Sequence, residues 1–245
     1  MAYPVKQLSV PSLLFNHLYM GVVITLFYIV VSPILIGAGM PGLSALLLAE
    51  IAVLAPLVIF HFYRVSKKTG KSFLELIPLR KKMPTRYFIG WVALGVVACF
   101  VVYIPLFPLG QGIRESLFSW LPEWYFNPTF GTDNLRLIAN VFLAGIIIDG
   151  VIGPVAEELF FRGYLLPRVH FLKNWAPIVN GALFGFYHFW QPHNILATVT
   201  IGMLLSWIAW KTKNVYICIA IHCIINIIGS AGGFFATSSG IMIGR

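Results

Sequence analysis

Two carboxylates stand side by side in "AEELFFRGYLL", Ala156 to Leu166, and an arginine follows the second by four residues. On a helix, Glu158 and Arg162 at i and i+4 share a face and can pair, whereas Glu157 is turned about 100° away. One glutamate is then neutralised locally and the other is left free for chemistry. Two more stretches set polar groups among apolar neighbours: "FGFYH", Phe184 to His188, and "HCIIN", in which His222 and Asn226 lie one turn apart. A carboxylate in apolar surroundings is a stronger base than in water, which suits a general base acting on water. A nearby histidine can orient that water or pass a proton, and a second histidine with a carboxamide supplies donors for a developing oxyanion. Alternatively, Glu157, His188 and His222 are the donor types of a zinc site with one open position. Both schemes end in attack of water on a carbonyl.

Each pattern also has a structural reading. A single buried Glu–Arg pair is more often structural than catalytic, and an asparagine on a membrane helix is commonly interhelical glue. Depth supplies an independent check. Counting from the basic ends of the expected helices at roughly 1.5 Å per residue, Glu157 lies about 14 Å deep, His188 about 16 Å and His222 about 14 Å. Three segments counted separately bring their polar groups to one level.

The elements that must position these groups are membrane spans. The chain has 245 residues, 59% hydrophobic and 10% charged, with a mean hydropathy of +0.86. Its apolar runs of 17 or more residues each suffice to cross a hydrocarbon core about 30 Å thick. The expected fold is all-α: a polytopic transmembrane bundle of about seven to eight spans and a single integral-membrane domain over 1–245. Spans are expected near 13–37, 43–63, 87–109, 137–166, 177–191, 194–210 and 214–234, with the motif-bearing core at 137–234. The tail "GSAGGFFATSSGIMIG" leaves an eighth segment open. Gly153 and Pro154 interrupt the fourth span just before the paired glutamates, so a kinked catalytic helix is expected there.

The net charge of +9 is concentrated, with eight of the 17 basic residues between Arg64 and Arg86 and Glu75 as the single acid there. A short basic loop between apolar spans belongs on the cytoplasmic side, facing anionic headgroups rather than nucleic acid. Alternation then puts the N-terminus in the cytoplasm and 110–136, with its aromatics Trp120, Trp124, Tyr125 and Phe126, outside; in a prokaryote the site would be the cell membrane. Cys99, Cys218 and Cys223 lie in apolar segments without metal-type spacing and read as packing residues.

In this order, "EELFFR", "FGFYH" and "HCIIN" resemble the CPBP family of intramembrane proteases, also called the CAAX protease or bacteriocin-processing Abi family, which includes the Ras-converting CAAX endopeptidase. The match covers about 157–226; the N-terminal half agrees only in being helical and apolar. The resemblance implies that Glu157 activates water with help from His188, that His222 and Asn226 stabilise the oxyanion, and that Glu158 and Arg162 support and orient. Family members are often labelled metalloproteases, yet a metal-free glutamate mechanism is also proposed. No HExxH is present, and the expectation is a site without cofactor; zinc, if bound, would take Glu157, His188 and His222.

The leading expectation is therefore an endopeptidase acting on a membrane-associated peptide or protein, CAAX-type or bacteriocin-processing, with its cavity opening toward the cytoplasm. A non-catalytic membrane scaffold or bacteriocin-immunity protein and a proton-coupled transporter are the alternatives. Asp149, two turns before Glu157, and Glu50, in the second span, are candidates to line the same cavity. His17 and His61 are expected at the interface, His193 in a loop off the catalytic level, and His170 exposed.

Overall fold

Apolar segments of this length must satisfy their backbone groups internally, and the computed structural model, which describes residues 5–240, is helical almost throughout. Six helical stretches are long and apolar enough to cross a membrane. One of them, Leu135–Tyr187, is 53 residues long and folds into two rods, because the chain leaves helical geometry at Val169 and again at Lys173, where φ is +52°. The result is an integral membrane protein of seven rods among the described residues. We number them α1 (Val10–Gly37), α2 (Leu43–Thr69), α3 (Thr85–Leu117), α4 (135–165), α5 (Ala176–Tyr187), α6 (Ile195–Thr212) and α7 (Val215–Ser238). These follow the seven expected spans closely. The tail extends α7 to Ser238 instead of starting a new segment, and its last residues, 241–245, lie outside the described residues.

Loops knit each end of the bundle. At one end Leu8 N–H donates to Arg168 O at 2.9 Å, Lys81 N–H to Lys213 O at 2.8 Å and Val215 N–H to Leu79 O at 2.8 Å. The basic segment lies here, ordered by one helical turn, Phe73–Leu76, that Ser72 and Glu75 cap reciprocally. The Ser72 hydroxyl and backbone N–H that bond the Glu75 carboxylate hold it below the ordinary glutamate range. At the other end Gly42 N–H donates to Phe130 O and Leu43 N–H to Pro128 O, both at 2.8 Å. There the Tyr125 hydroxyl also donates to Phe189 O at 2.9 Å, and Tyr125 is buried with Tyr28. The expected aromatic anchor is thus partly an internal plug. Large apolar side chains on the outer surface, such as Phe15, Leu94 and Phe235, each more than 60% exposed, face where lipid must be.

Three places in the rods widen into π turns, at Glu50–Leu54, Ile148–Ile152 and Leu159–Leu165. The second directly precedes Pro154, whose ring has no N–H to give back to the preceding turn, so the expected interruption of α4 takes this form. Rod α5 has only 12 residues, about 18 Å, which is too short to cross. It ends at His188, and the chain returns through 188–194 to α6.

Tight packing of α5 on α6 holds that short rod in place. A Cβ on Gly185 would come within 2.5 Å of the Val199 backbone, and one on Gly181 would meet the Met203 and Gly202 backbones. Small residues of this kind let membrane helices approach where no hydrophobic force drives them together. Gly185→Ala is expected to destabilise the protein by about 3 kcal/mol through overpacking, read as a lower unfolding temperature in detergent. Gly90→Ala, at a position with open space around it, is expected to leave that temperature unchanged.

Candidate active site

The fourth rod carries both glutamates, and its neighbours treat them differently. Glu158 and Arg162 are fully buried, with Arg162 Nη1 donating to Glu158 Oε1 at 2.9 Å. The rest of the guanidinium is satisfied by α6: Nη2 donates to Gly202 O at 3.1 Å and Nε to Ser206 Oγ at 3.3 Å. Its plane lies 3.8 Å from the Phe184 ring centre, so the aromatic of "FGFYH" stacks on the charge. The Ser206 hydroxyl donates in turn to Asn180 Oδ1 at 2.9 Å, and Asn180 Nδ2 reaches His17 Nε2 at 2.9 Å. His17, expected at the interface, is fully buried instead. Its Nδ1 donates to Leu13 O at 2.8 Å, so its Nε2 is the acceptor of the Asn180 bond.

His222, from α7, completes the other side of the pair. Its Nδ1 lies 3.0 Å from the same Glu158 oxygen, and a carboxylate already paired with arginine can only accept, so Nδ1 carries the proton. The Nε2 of the ring then faces Glu157, with 3.8 Å to Oε2. His188 caps the end of α5 and donates from Nδ1 to Phe184 O at 2.8 Å, which leaves its Nε2 as a lone-pair acceptor. Glu157, His188, His222 and Asn226 all line one cavity of about 480 Å³. The expected grouping of an acid, two imidazoles and a carboxamide is therefore present, with Glu158 and Arg162 behind it.

Two carboxylates join them. Glu50 and Asp149 line the same cavity, so four of the chain's eight acids gather here. Glu50 packs on the bare Gly153 backbone, where a Cβ would stand 2.7 Å from Glu50 Oε2, and that oxygen is buried without a hydrogen-bond partner. Each of the three π turns touches this acidic group: Glu50 opens one, Asp149 sits in another, and Glu157 and Glu158 precede the third. Such turns concentrate at functional sites, and no residue pattern in the sequence announces them.

Two expectations change in detail. Asn226 does not aim a free amide into the cavity: Nδ2 donates to Asp149 O at 3.0 Å and to Asp149 Oδ1 at 3.3 Å. Ser230, one turn on, donates to Asp149 Oδ2 at 3.0 Å, so Asn226 and Ser230 together clamp α4 to α7. The zinc set is not assembled either: among the described residues no three His, Cys, Asp or Glu side chains form a metal-holding group. No step below is routed through a metal.

The remaining polar residues lie apart. His61 packs edge-on against Phe160 and Tyr164, and His170 lies 5.2 Å from the Trp210 ring. His193 abuts Phe126 outside the cavity, in keeping with its expected loop. Cys99 and Cys218 are buried free thiols, and Cys223 is a partly buried one.

The division between the glutamates gives a stability test. Glu158→Gln leaves Arg162 as an uncompensated buried charge and is expected to destabilise by about 3 kcal/mol, read as unfolding in detergent. Adding Arg162→Met removes that charge, so the double variant is expected to be more stable than Glu158→Gln alone, a non-additivity that a double-mutant cycle measures.

Comparison with known proteins agrees with this site. The family model described as Rce1-like, type II CAAX prenyl endopeptidase, matches residues 139–228, a span that holds every motif residue above. A Bacillus subtilis (strain 168) protein named "Putative membrane peptidase YdiL" is 30% identical over 147 residues, 56% of this chain. The match covers 55% of that relative, so the chain spans about half its length. No solved structure matches the chain. The three motifs thus meet in one buried cavity inside the segment 139–228, which is similar to the Rce1-like type II CAAX prenyl endopeptidase family.

Proposed function

We propose that this chain is an intramembrane endopeptidase that hydrolyses a peptide bond of a membrane-associated peptide or protein through a water activated by Glu157, without a metal. One observation carries the reading: of two adjacent buried glutamates, Glu158 is bonded by Arg162 and His222, while Glu157 faces the cavity between His222 and the end of α5. A base must reach the proton it abstracts, and the unprotonated Nε2 of His188 helps to hold the water for that transfer. His222, kept in its Nδ1–H tautomer by Glu158, presents the proton-accepting Nε2 edge to Glu157. The printed activities of the family model and of the Bacillus protein, prenyl endopeptidase and membrane peptidase, support the same reaction class.

The cavity has a direction. Its lining includes Leu43 to Leu54 of α2 and Ala197 to Ile201 of α6, in the halves of those rods away from the basic segment, and mid-rod positions at Cys99 to Tyr103 of α3, Phe142 to Glu157 of α4 and His222 to Ser230 of α7. Leu43, Gln191 and Asn194 carry the lining on toward the end of the bundle away from the basic segment, which favours an opening there over the expected cytoplasmic one. The charge bias sets orientation, so we keep the basic segment and the N-terminus in the cytoplasm and assign the mouth to the opposite face. The apolar walls suit a substrate that is itself membrane-embedded.

Two measurements test this. In proteoliposomes carrying total membrane protein, wild type is expected to generate new peptide termini that Glu157→Gln does not, a loss of at least about 10³-fold for removing the base, with no change in unfolding temperature; equal cleavage by the variant would sink the mechanism. With the three native cysteines replaced, a membrane-impermeant maleimide on intact cells is expected to label Gln191→Cys and spare Lys82→Cys. The reverse pattern would invert the orientation while leaving the two ends distinct.

A further inference from the structure

With Asn226 occupied by Asp149, the cavity needs another donor for the oxyanion, and the structure contains a side chain with nothing else to do. Tyr187, the last residue of α5, is fully buried and lines the cavity. Its hydroxyl faces the Glu157 carboxyl but lies outside hydrogen-bond geometry with it and has no other partner. A buried hydroxyl without an acceptor is rare in proteins and calls for an explanation. Rotation does not relieve it, because the ring is wedged among Phe161 at 4.9 Å, His188 at 4.9 Å and Trp190 at 5.0 Å between centroids. Gly21 on α1 closes the remaining side, since any Cβ there would collide with the Tyr187 backbone. The phenol oxygen is thus fixed in position before substrate arrives, and its hydrogen is free to turn to an acceptor placed there, which is what stabilisation of a developing charge requires.

We propose that the Tyr187 hydroxyl, rather than the Asn226 amide, donates the hydrogen bond that stabilises the tetrahedral oxyanion; this rests on the protease reading above. The step balances without a co-reactant. Glu157 takes a proton from water as the water oxygen bonds to the carbonyl carbon, and the carbonyl π pair moves onto its oxygen, which accepts the Tyr187 O–H. Collapse of that intermediate re-forms the C=O bond, breaks the C–N bond and passes the Glu157 proton to the departing amine. Tyr187 keeps its proton throughout. Asn226 acts as a positioning residue that holds Asp149 and the upper part of α7 against α4.

The test uses the full-length protein in proteoliposomes and, as probe, a synthetic peptide copied from the site cut fastest in the membrane-protein mixture. A second probe carries a phosphinate in place of the scissile amide and so mimics the tetrahedral intermediate. Tyr187→Phe removes one oxygen and keeps the ring packing. It is expected to lower kcat by about 100-fold, the effect of deleting one oxyanion donor, with KM and unfolding temperature unchanged. Phosphinate affinity is expected to fall by a similar factor, because such analogues report transition-state contacts. Wild-type kcat in Tyr187→Phe, with Glu157→Gln inactive, overturns this inference alone. A raised KM with unchanged phosphinate affinity also overturns it, by showing that the phenol only shapes the cavity. Cleavage by wild type no greater than by Glu157→Gln overturns both this inference and the reading beneath it.

Discussion

A guanidinium in the middle of a bilayer has no water to solvate it, and most of this site can be understood as the consequence of burying Arg162. Its fully enclosed charge needs an anion, acceptors for the remaining N–H groups and a polarisable face. Glu158, Gly202 O, Ser206 and the Phe184 ring supply these from α4, α6 and α5. Ser206 then requires an acceptor, which Asn180 provides, and Asn180 spans to His17 on α1. Glu158 reaches the other way to His222 on α7. One charge thereby fixes the mutual positions of five rods, and the acceptor left over from that network orients the catalytic-level histidine. A buried ion pair is weak evidence for stability in itself; here its satisfied surroundings give it a single geometry.

The packing surfaces serve the same end. Rod α5 is too short to cross, so it cannot be held by two membrane interfaces as a spanning helix is. It depends on backbone-to-backbone contact with α6 through Gly181, Gly185 and Gly202, and on α1 at Gly21. That close approach places Phe184 over Arg162 and leaves His188 at the point where the chain turns back. The π turns make the complementary adjustment in α2 and α4. They rotate the following segment relative to an ideal helix, and with them Glu50, Asp149 and Glu157 all converge on one cavity.

Sequence reasoning reached much of this, and where it stopped is instructive. Hydropathy located the rods because the spanning ones must be apolar over a length that the bilayer sets, and the short α5 is apolar because it is enclosed among them. The i, i+4 pairing of Glu158 and Arg162 carried over directly, since it depends only on helical rotation, and Glu157, His188 and His222 line one cavity. His17 escaped, because a histidine eight residues into a helix looks interfacial unless its long-range partner, Asn180, is known. Asn226 was placed in the cavity but given a free amide, because nothing local shows that Asp149, 77 residues earlier, accepts from it. Tyr187 was passed over for a similar reason: between Phe186 and His188 it reads as one more aromatic, and only the closed packing around its ring reveals a donor without an acceptor.

The adjacency of the two glutamates can now be given a physical cause. A single carboxylate at this depth would either pair with Arg162 and lose its basicity or leave that cation unneutralised. Two carboxylates about 100° apart on one helix separate these demands at the smallest possible spacing, with one turned inward to Arg162 and the other turned to the cavity. His222 touches both, 3.0 Å from the first and 3.8 Å from the second, so the fixed pair sets the histidine's tautomer and the histidine in turn faces the free acid. Glu157 is therefore coupled to the ion pair through one ring without sharing its charge, which adjacency of the two glutamates on one helix makes possible.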